Sequence, residues 1–226
     1  MVVWLLDLDG TLYTDRTGLW PAISARITRY LEVRLGLAPG AAQALRRRWV
    51  AAYGTTLQGL LHEMPHHADP YDYFAFTHDL PLEAYLAPDP RLRRTLEALP
   101  GPKWVFTNAD AAHARRVLEI LGVAEVFEGI IDIFATDLHP KPWESAYRQA
   151  LTLAGNPPPG DAVLVDDRLC NLTAARPLGF RTVWVAREAA AAEARQVDAV
   201  IPEIYALPRA FPRIAGAPMP SAARGH

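Results

Sequence analysis

Several short runs of apolar and β-branched residues stop abruptly, and they constrain this chain more than any other feature. They are VVWLL before Asp7, KWVF before Thr107, AVLV before Asp166 and RTVWV before Ala186. A continuous apolar run of four or five residues is too short for a buried helix. It reads as a strand covered on both faces, as in a parallel sheet. IIDIF (130–134) and DAVI (198–201) are weaker runs of the same kind. Helical patterns lie between them: DAAHARRVLEILG (110–122), KPWESAYRQALTLAG (141–155) and the shorter CNLTAARPLG (170–179). Each ends on glycine, which suits a helix C-terminus. Strand and helix in alternation predict an α/β fold, a doubly wound parallel sheet.

Residues 15–85 read differently. WPAISARITRYLEVRLGL, PGAAQALRRRWVAAYG and TTLQGLLHEM are helical, an aromatic-rich segment follows, and no strand pattern appears. This predicts an all-helical insert at 15–85 within an α/β core formed by 1–14 and 86–205. The proline-rich APDP (87–90) marks the return to the core, and the tail 206–226, rich in proline and alanine, is expected to be poorly ordered. The chain's 226 residues are enough for a sizeable core. A net charge of −2 gives no field that would recruit nucleic acid or an anionic membrane. The single cysteine, Cys170, excludes an internal disulfide and fits a reducing compartment. Asp7 cuts the first apolar run too early for a signal peptide, and no run reaches membrane-spanning length. The expectation is a soluble cytoplasmic protein, monomer or homodimer, with neither nucleic acid nor membrane as partner.

In an extended strand, residues two apart point the same way, so Asp7 and Asp9 share a side where the first strand ends. Gly10 lets the backbone turn sharply and Thr11 offers a hydroxyl. In open α/β sheets the functional crevice lies beyond the carboxyl ends of the strands. Asp7, Asp9, Thr107, Asn108, Asp166 and Asp167 should therefore converge there. Such a set of carboxylates with a hydroxyl and an amide suits a hard cation such as Mg²⁺, and Lys141, between prolines, is the cationic partner expected. A carboxylate attacking a phosphate monoester meets strong anion repulsion, which a cation and a lysine relieve. A second carboxylate can protonate the leaving oxygen and then deprotonate water.

With these residues assembled, the chain resembles the haloacid dehalogenase-like superfamily of phosphohydrolases. DLDGTL, VFTNA, Lys141 and LVDDR match its four motifs in order. Within it the chain is similar to the pyrimidine 5′-nucleotidase-like branch, a similarity that continues through YGTTLQGLL, HHADPYDYF, HDLPLE and PDPRLRRTLEAL and covers roughly residues 3 to 190. The resemblance implies a Rossmann-like core with a mobile helical cap. It implies Asp7 as nucleophile and Asp9 as general acid/base. Thr107 and Asn108 would hold phosphate, and Lys141 would steady both Asp7 and the phosphoryl group. Mg²⁺ would be held by Asp7, the backbone carbonyl of Asp9 and Asp167 directly, with Asp166 supporting and Asn171 orienting that group. Tyr53, Gly54 and Thr55 are candidates for specificity.

The function expected is Mg²⁺-dependent hydrolysis of a small phosphorylated metabolite through a phospho-aspartate, a pyrimidine nucleoside 5′-monophosphate being the narrow form. A phosphoglycolate- or sugar-phosphate-type phosphatase, or a phosphomutase, shares the same motifs. A 2-haloacid dehalogenase does not usually keep the second aspartate. A non-catalytic nucleotide-binding protein would be expected to have lost a catalytic group, and none is missing.

Overall fold

The computed structural model describes residues 1–216. In chain order the regular elements are β1 (Val3–Leu6), α1 (Leu19–Leu35), α2 (Pro39–Tyr53), α3 (Thr56–Glu63), α4 (Pro70–Thr77), α5 (Pro90–Glu97), β2 (Lys103–Phe106), α6 (Ala111–Leu121), β3 (Gly129–Ile131), α7 (Glu144–Leu153), β4 (Ala162–Asp166), α8 (Leu169–Ala175), β5 (Arg181–Val185), α9 (Ala191–Ala194), β6 (Ala199–Ile201) and α10 (Leu207–Gly216). The chain divides into two compact units, Met1–Thr14 together with the chain from Ala87 onward, and Asp15–Leu86. Among the described residues no helix is long and apolar enough to cross a membrane.

The first unit is a six-stranded, fully parallel sheet in the order β3-β2-β1-β4-β5-β6. This is the doubly wound, Rossmann-like arrangement. The order reverses at β1, which lies between β2 and β4, and a switch of this kind opens a crevice at the strand ends. All four residues of β1 and all five of β4 are buried, which explains their unbroken apolar runs. One face is filled by Leu5, Phe106, Tyr147, Leu164, Leu172 and Phe180. Tyr147 stands edge-on to both Phe106 and Phe180, and its hydroxyl donates to the Asn171 carbonyl at 2.8 Å, so a buried phenol keeps its hydrogen bond.

Two expectations change at the margins. The run 130–134 yields a strand that stops at Ile131, because Asp132 turns its carboxylate to other work. It accepts from the N–H of Ala111 at 2.8 Å, at the start of α6, and from the N–H of Ala135 at 2.8 Å. The tail, expected to be poorly ordered from 206, continues as α10 over Leu207–Gly216, and 217–226 lie outside the described residues. Leu207 is fully buried and the Phe211 ring packs 5.2 Å from that of Trp4, so apolar burial overrides the prolines.

The second unit is all helix. Thr55 caps α3 by accepting from the Gln58 N–H, and Asp69 caps α4 through two N–H groups, with Pro70 in the first turn. Arg46, the first of the RRR run, is engaged within this unit. Its guanidinium donates to the Ser24 carbonyl and hydroxyl, each at 2.7 Å, tying α2 to α1. Gly59 is the closest approach in this unit: a Cβ there would meet the buried Trp49 side chain at 2.1 Å. Gly59→Ala is therefore expected to destabilise the protein by about 1–3 kcal/mol through overpacking. Chemical denaturation checks this, and an unchanged midpoint would refute the packing assignment.

Candidate active site

Strand ends deliver the acidic residues. The Asp7 N–H still donates to the Val165 carbonyl at 2.9 Å, so the carboxylate of Asp7 emerges where β1 leaves the sheet, beside the end of β4. Gly10 then takes a φ of +95°, and a Cβ there would come within 2.5 Å of Asp167 Oδ2. Both the backbone conformation and the close approach demand glycine.

Lys141 is the centre of the charge arrangement. Its side chain is 1% exposed, and its ammonium donates to Asp7 Oδ1 at 2.8 Å, Asp166 Oδ2 at 2.7 Å and the Phe106 carbonyl at 2.7 Å. All three ammonium protons thus have acceptors within the protein. The expectation that Lys141 also touches phosphate requires one of these bonds to be given up. Burial alone would lower the lysine's pKa, but the charges of Asp166 and Asp7 outweigh it and raise it, so the group stays protonated. Asp7 is shifted upward from an ordinary 3.8 to about 7. Burial is the largest cause; Lys141 pulls the other way, while Asp166 and Asp9 add to the rise.

Asp166 is fully buried and well supplied with donors. Besides Lys141 it takes the Arg168 N–H at 2.8 Å on Oδ1 and the Asn171 amide at 2.9 and 3.0 Å on its two oxygens. Asp167 is half-buried next to Gly10. Carboxylate oxygens of Asp7, Asp166 and Asp167 come within 4.8 Å of one another. An all-oxygen donor set with more negative charge than Lys141 can balance fits a hard divalent cation such as Mg²⁺. Both Asp166 oxygens are thus engaged by donors of this chain.

Thr107 follows β2, is buried, and its hydroxyl oxygen accepts the Ala109 N–H at 3.0 Å. Asn108 comes next in the chain. Its amide, read as a phosphate ligand, is committed to the main chain of Lys141: Nδ2 donates to the Lys141 carbonyl at 3.0 Å, and Oδ1 accepts the Lys141 N–H at 2.8 Å. In this geometry Asn108 clamps the loop that carries the lysine. Thr11 donates to Asp7 Oδ2 at 3.1 Å.

Two side chains here belong to no readable motif. Tyr13 donates from its hydroxyl to Asp9 Oδ1, and His113 Nε2 lies 3.1 Å from the same oxygen. The signal for His113 was a polar residue on the apolar face of α6, whose other buried positions are Ala114, Val117, Leu118 and Leu121. Tyr53, Gly54 and Thr55 lie in the second unit and form the corner between α2 and α3. Tyr53 stacks on His62 at 5.1 Å, Gly54 closes α2 with a φ of +83°, and Thr55 opens α3.

Comparison with known proteins follows the same lines. A family profile described as haloacid dehalogenase-like hydrolase matches residues 3–179. Phosphate metabolism protein 8 of Saccharomyces cerevisiae is 30% identical over 195 residues, covering 79% of this chain, which spans about three-fifths (59%) of that protein's length. Among solved structures, a HAD phosphatase from Thermococcus onnurineus matches with a TM-score of 0.60 at 21% identity, over 93% of this chain and 98% of that one. L-2-haloacid dehalogenase from Xanthobacter autotrophicus matches with a TM-score of 0.59 at 17% identity, over 94% and 99%. These two likenesses speak to the fold alone. The profile match, which spans β1 to β4, the lysine loop and the paired aspartates, decides the family: the chain belongs to the haloacid dehalogenase-like hydrolases.

Proposed function

We propose that this hydrolase is a Mg²⁺-dependent phosphomonoesterase working through a phospho-aspartate on Asp7. The observation that carries the reading is the second carboxylate: Asp9 is held by Tyr13 and His113 and is close enough to Asp7 to raise its pKa. A leaving halide needs no proton, whereas a leaving alkoxide does, so a placed acid beside the nucleophile favours phosphate ester over haloacid chemistry.

Asp7 forms a bond to phosphorus as the bond from phosphorus to the ester oxygen breaks. Asp9 gives its proton to that oxygen, so the product departs as an alcohol. Asp9, now ionised, takes a proton from water, whose oxygen attacks phosphorus and breaks the acyl phosphate bond. Inorganic phosphate leaves, Asp7 is restored and Asp9 ends protonated, with one water consumed. Lys141 keeps Asp7 oriented throughout, and Thr107 is the phosphate-side donor. Asp7, Asp167, the Asp9 carbonyl and, in support, Asp166 would hold Mg²⁺, which when bound neutralises charge between nucleophile and phosphoryl oxygens.

The substrate class proposed is a small phosphorylated metabolite in the cytoplasm. The narrower assignment, a pyrimidine nucleoside 5′-monophosphate, draws on the similarity of YGTTLQGLL and HHADPYDYF to the nucleotidase-like branch. The yeast relative's name supports phosphate chemistry in general. A phosphate-release screen with Mg²⁺ across nucleotides, sugar phosphates, phosphoglycolate and pyridoxal phosphate tests both levels. A dominant pyrimidine nucleotide signal supports the narrow reading. Release from other monoesters leaves the broad one, and isomerised sugar phosphate without release would make the enzyme a mutase. No turnover of any compound, with nucleotide bound, would make it a binding protein.

Mg²⁺ should also act on the fold. Saturation at about 100 times its dissociation constant adds ~2.7 kcal/mol to stability. Millimolar Mg²⁺ is thus expected to raise the thermal midpoint by several degrees over chelator, and Asp167→Asn should remove most of that gain. An equal rise in the variant would exclude Asp167 as a ligand.

A further inference from the structure

The structure assigns to His113 a role in positioning the proton-transferring carboxylate, an inference that rests on the phosphomonoesterase reading and extends it to a residue outside the four motifs. His113 is the third residue of α6, and its side chain is completely buried. Its Nε2 lies 3.1 Å from Asp9 Oδ1, across 104 residues of sequence. Asp9 itself is 13% exposed, at the mouth of the strand ends.

Three features point to positioning, and a packed histidine alone would not need them. First, two side chains from different parts of the chain converge on one oxygen. Tyr13, whose backbone bridges back to Asp9, donates to Oδ1, and His113 meets that same atom from α6. Contacts from two parts of the chain on Oδ1 fix the direction in which the carboxylate faces. Second, the carboxylate's rotation is restrained: a general acid must sit within hydrogen-bond reach of the leaving oxygen, and an anchored Oδ1 removes most of the freedom that would spoil this. Third, His113 is itself held. Asp110 accepts the His113 N–H at 3.2 Å, and Asp132, at the end of β3, accepts the Ala111 N–H at 2.8 Å. The first turn of α6 is thereby tied to the sheet, and His113 transmits that rigidity to Asp9. The role needs only an N–H at Nε2, so it does not require a charged ring.

His113 is a positioning residue and touches no reacting atom, so its test must separate proton transfer from general damage. The measurement is kcat/KM for two probes, β-glycerophosphate and p-nitrophenyl phosphate, in wild type, His113→Leu, His113→Gln and His113→Asn. kcat/KM reports the steps through ester cleavage. An alkoxide must be protonated to leave, while p-nitrophenolate leaves without help. His113→Leu is expected to lower kcat/KM for β-glycerophosphate by roughly 10–100-fold, part of the 10²–10⁴ that a general acid supplies, and to change p-nitrophenyl phosphate by less than about threefold. His113→Gln, whose amide nitrogen reaches the place of Nε2, should recover most of the glycerophosphate rate, and His113→Asn should not. Tyr13→Phe should reproduce the selective loss from the other side of Oδ1.

Equal losses on both probes, or glutamine no better than asparagine, would reduce His113 to a packing residue and overturn the inference. If His113→Leu does not fold, the glutamine and asparagine pair still decides. A wild type that releases phosphate from neither probe nor any other monoester would overturn the phosphomonoesterase reading and the inference together, an outcome distinct from an active wild type without selectivity.

Discussion

Asp7→Asn is expected to abolish turnover and, in the absence of metal, to make the protein more stable. The loss should reach at least about 10⁴-fold, because the bond that the carboxylate forms to phosphorus has no substitute in the site. The gain in stability follows from the pKa. Burial, against the pull of Lys141 and with help from Asp166 and Asp9, raises the Asp7 carboxyl from 3.8 to about 7. A carboxyl whose pKa is raised by folding holds its proton more tightly in the native state. Its contribution is complete below the unfolded value, near 4, and is lost as pH rises through about 7. Asparagine carries no charge and escapes that loss. In chelator the variant should therefore melt above wild type at about pH 8, and the difference should shrink toward about pH 5. Retained phosphate release would sink the covalent mechanism, and a variant less stable than wild type at the higher pH would contradict the electrostatic account.

Lys141→Met should cost the most stability of any single change at the site. The methionine fills a similar volume, yet three acceptors lose their donor: Asp7, Asp166 and the Phe106 carbonyl. Two buried carboxylates then face each other without a cation. Breaking a buried ion pair from one side typically costs about 3–5 kcal/mol, which for a chain of this size is on the order of 10 °C in thermal midpoint. Lowering the pH should recover part of the loss, since protonating either acid removes the repulsion. Activity should vanish as well, because Asp7 will keep its proton. Lys141→Arg should fail to rescue: a planar fork cannot satisfy three acceptors arranged around one nitrogen. A Lys141→Met midpoint within about 2 °C of wild type, measured by calorimetry, would show that the ammonium is not holding the site together.

Much of this architecture was legible because buried parallel strands write themselves as unbroken apolar runs. VVWLL, KWVF, AVLV and RTVWV each became a strand, and their ends brought Asp7, Thr107 and Asp166 to neighbouring strand termini. What was not legible depended on partners far away in sequence. IIDIF looked apolar throughout, but Asp132 is drawn off to cap α6, so the strand ends early. The prolines near 208 and 212 suggested a loose tail, and the burial of Leu207 with the packing of Phe211 on Trp4 shows why a helix forms. Asn108 was expected to hold phosphate, and nothing near it in the sequence announces that its side chain bonds the main chain of Lys141, 33 residues on. His113 passed as one more residue on a helix face, since nothing in its local spacing announces a contact with Asp9. Local patterns fix elements and their ends, while hydrogen bonds between distant side chains are settled only when the sheet closes.

The position of β1 has a consequence for how this chain comes off the ribosome. Leu5 pairs with Trp104 on one side and Leu164 on the other, so the strand that leads into both acids precedes the other five and waits for β4 before its second edge is paired. Until β4 has emerged, Asp7 lacks Asp166 as a neighbour and its strand has an open edge. Such non-local pairing slows folding, and it leaves the apolar VWLL segment in need of shelter during synthesis. Nascent chains stalled before residue 162 should therefore recruit chaperones that recognise extended apolar segments, and chains released beyond β6 should not.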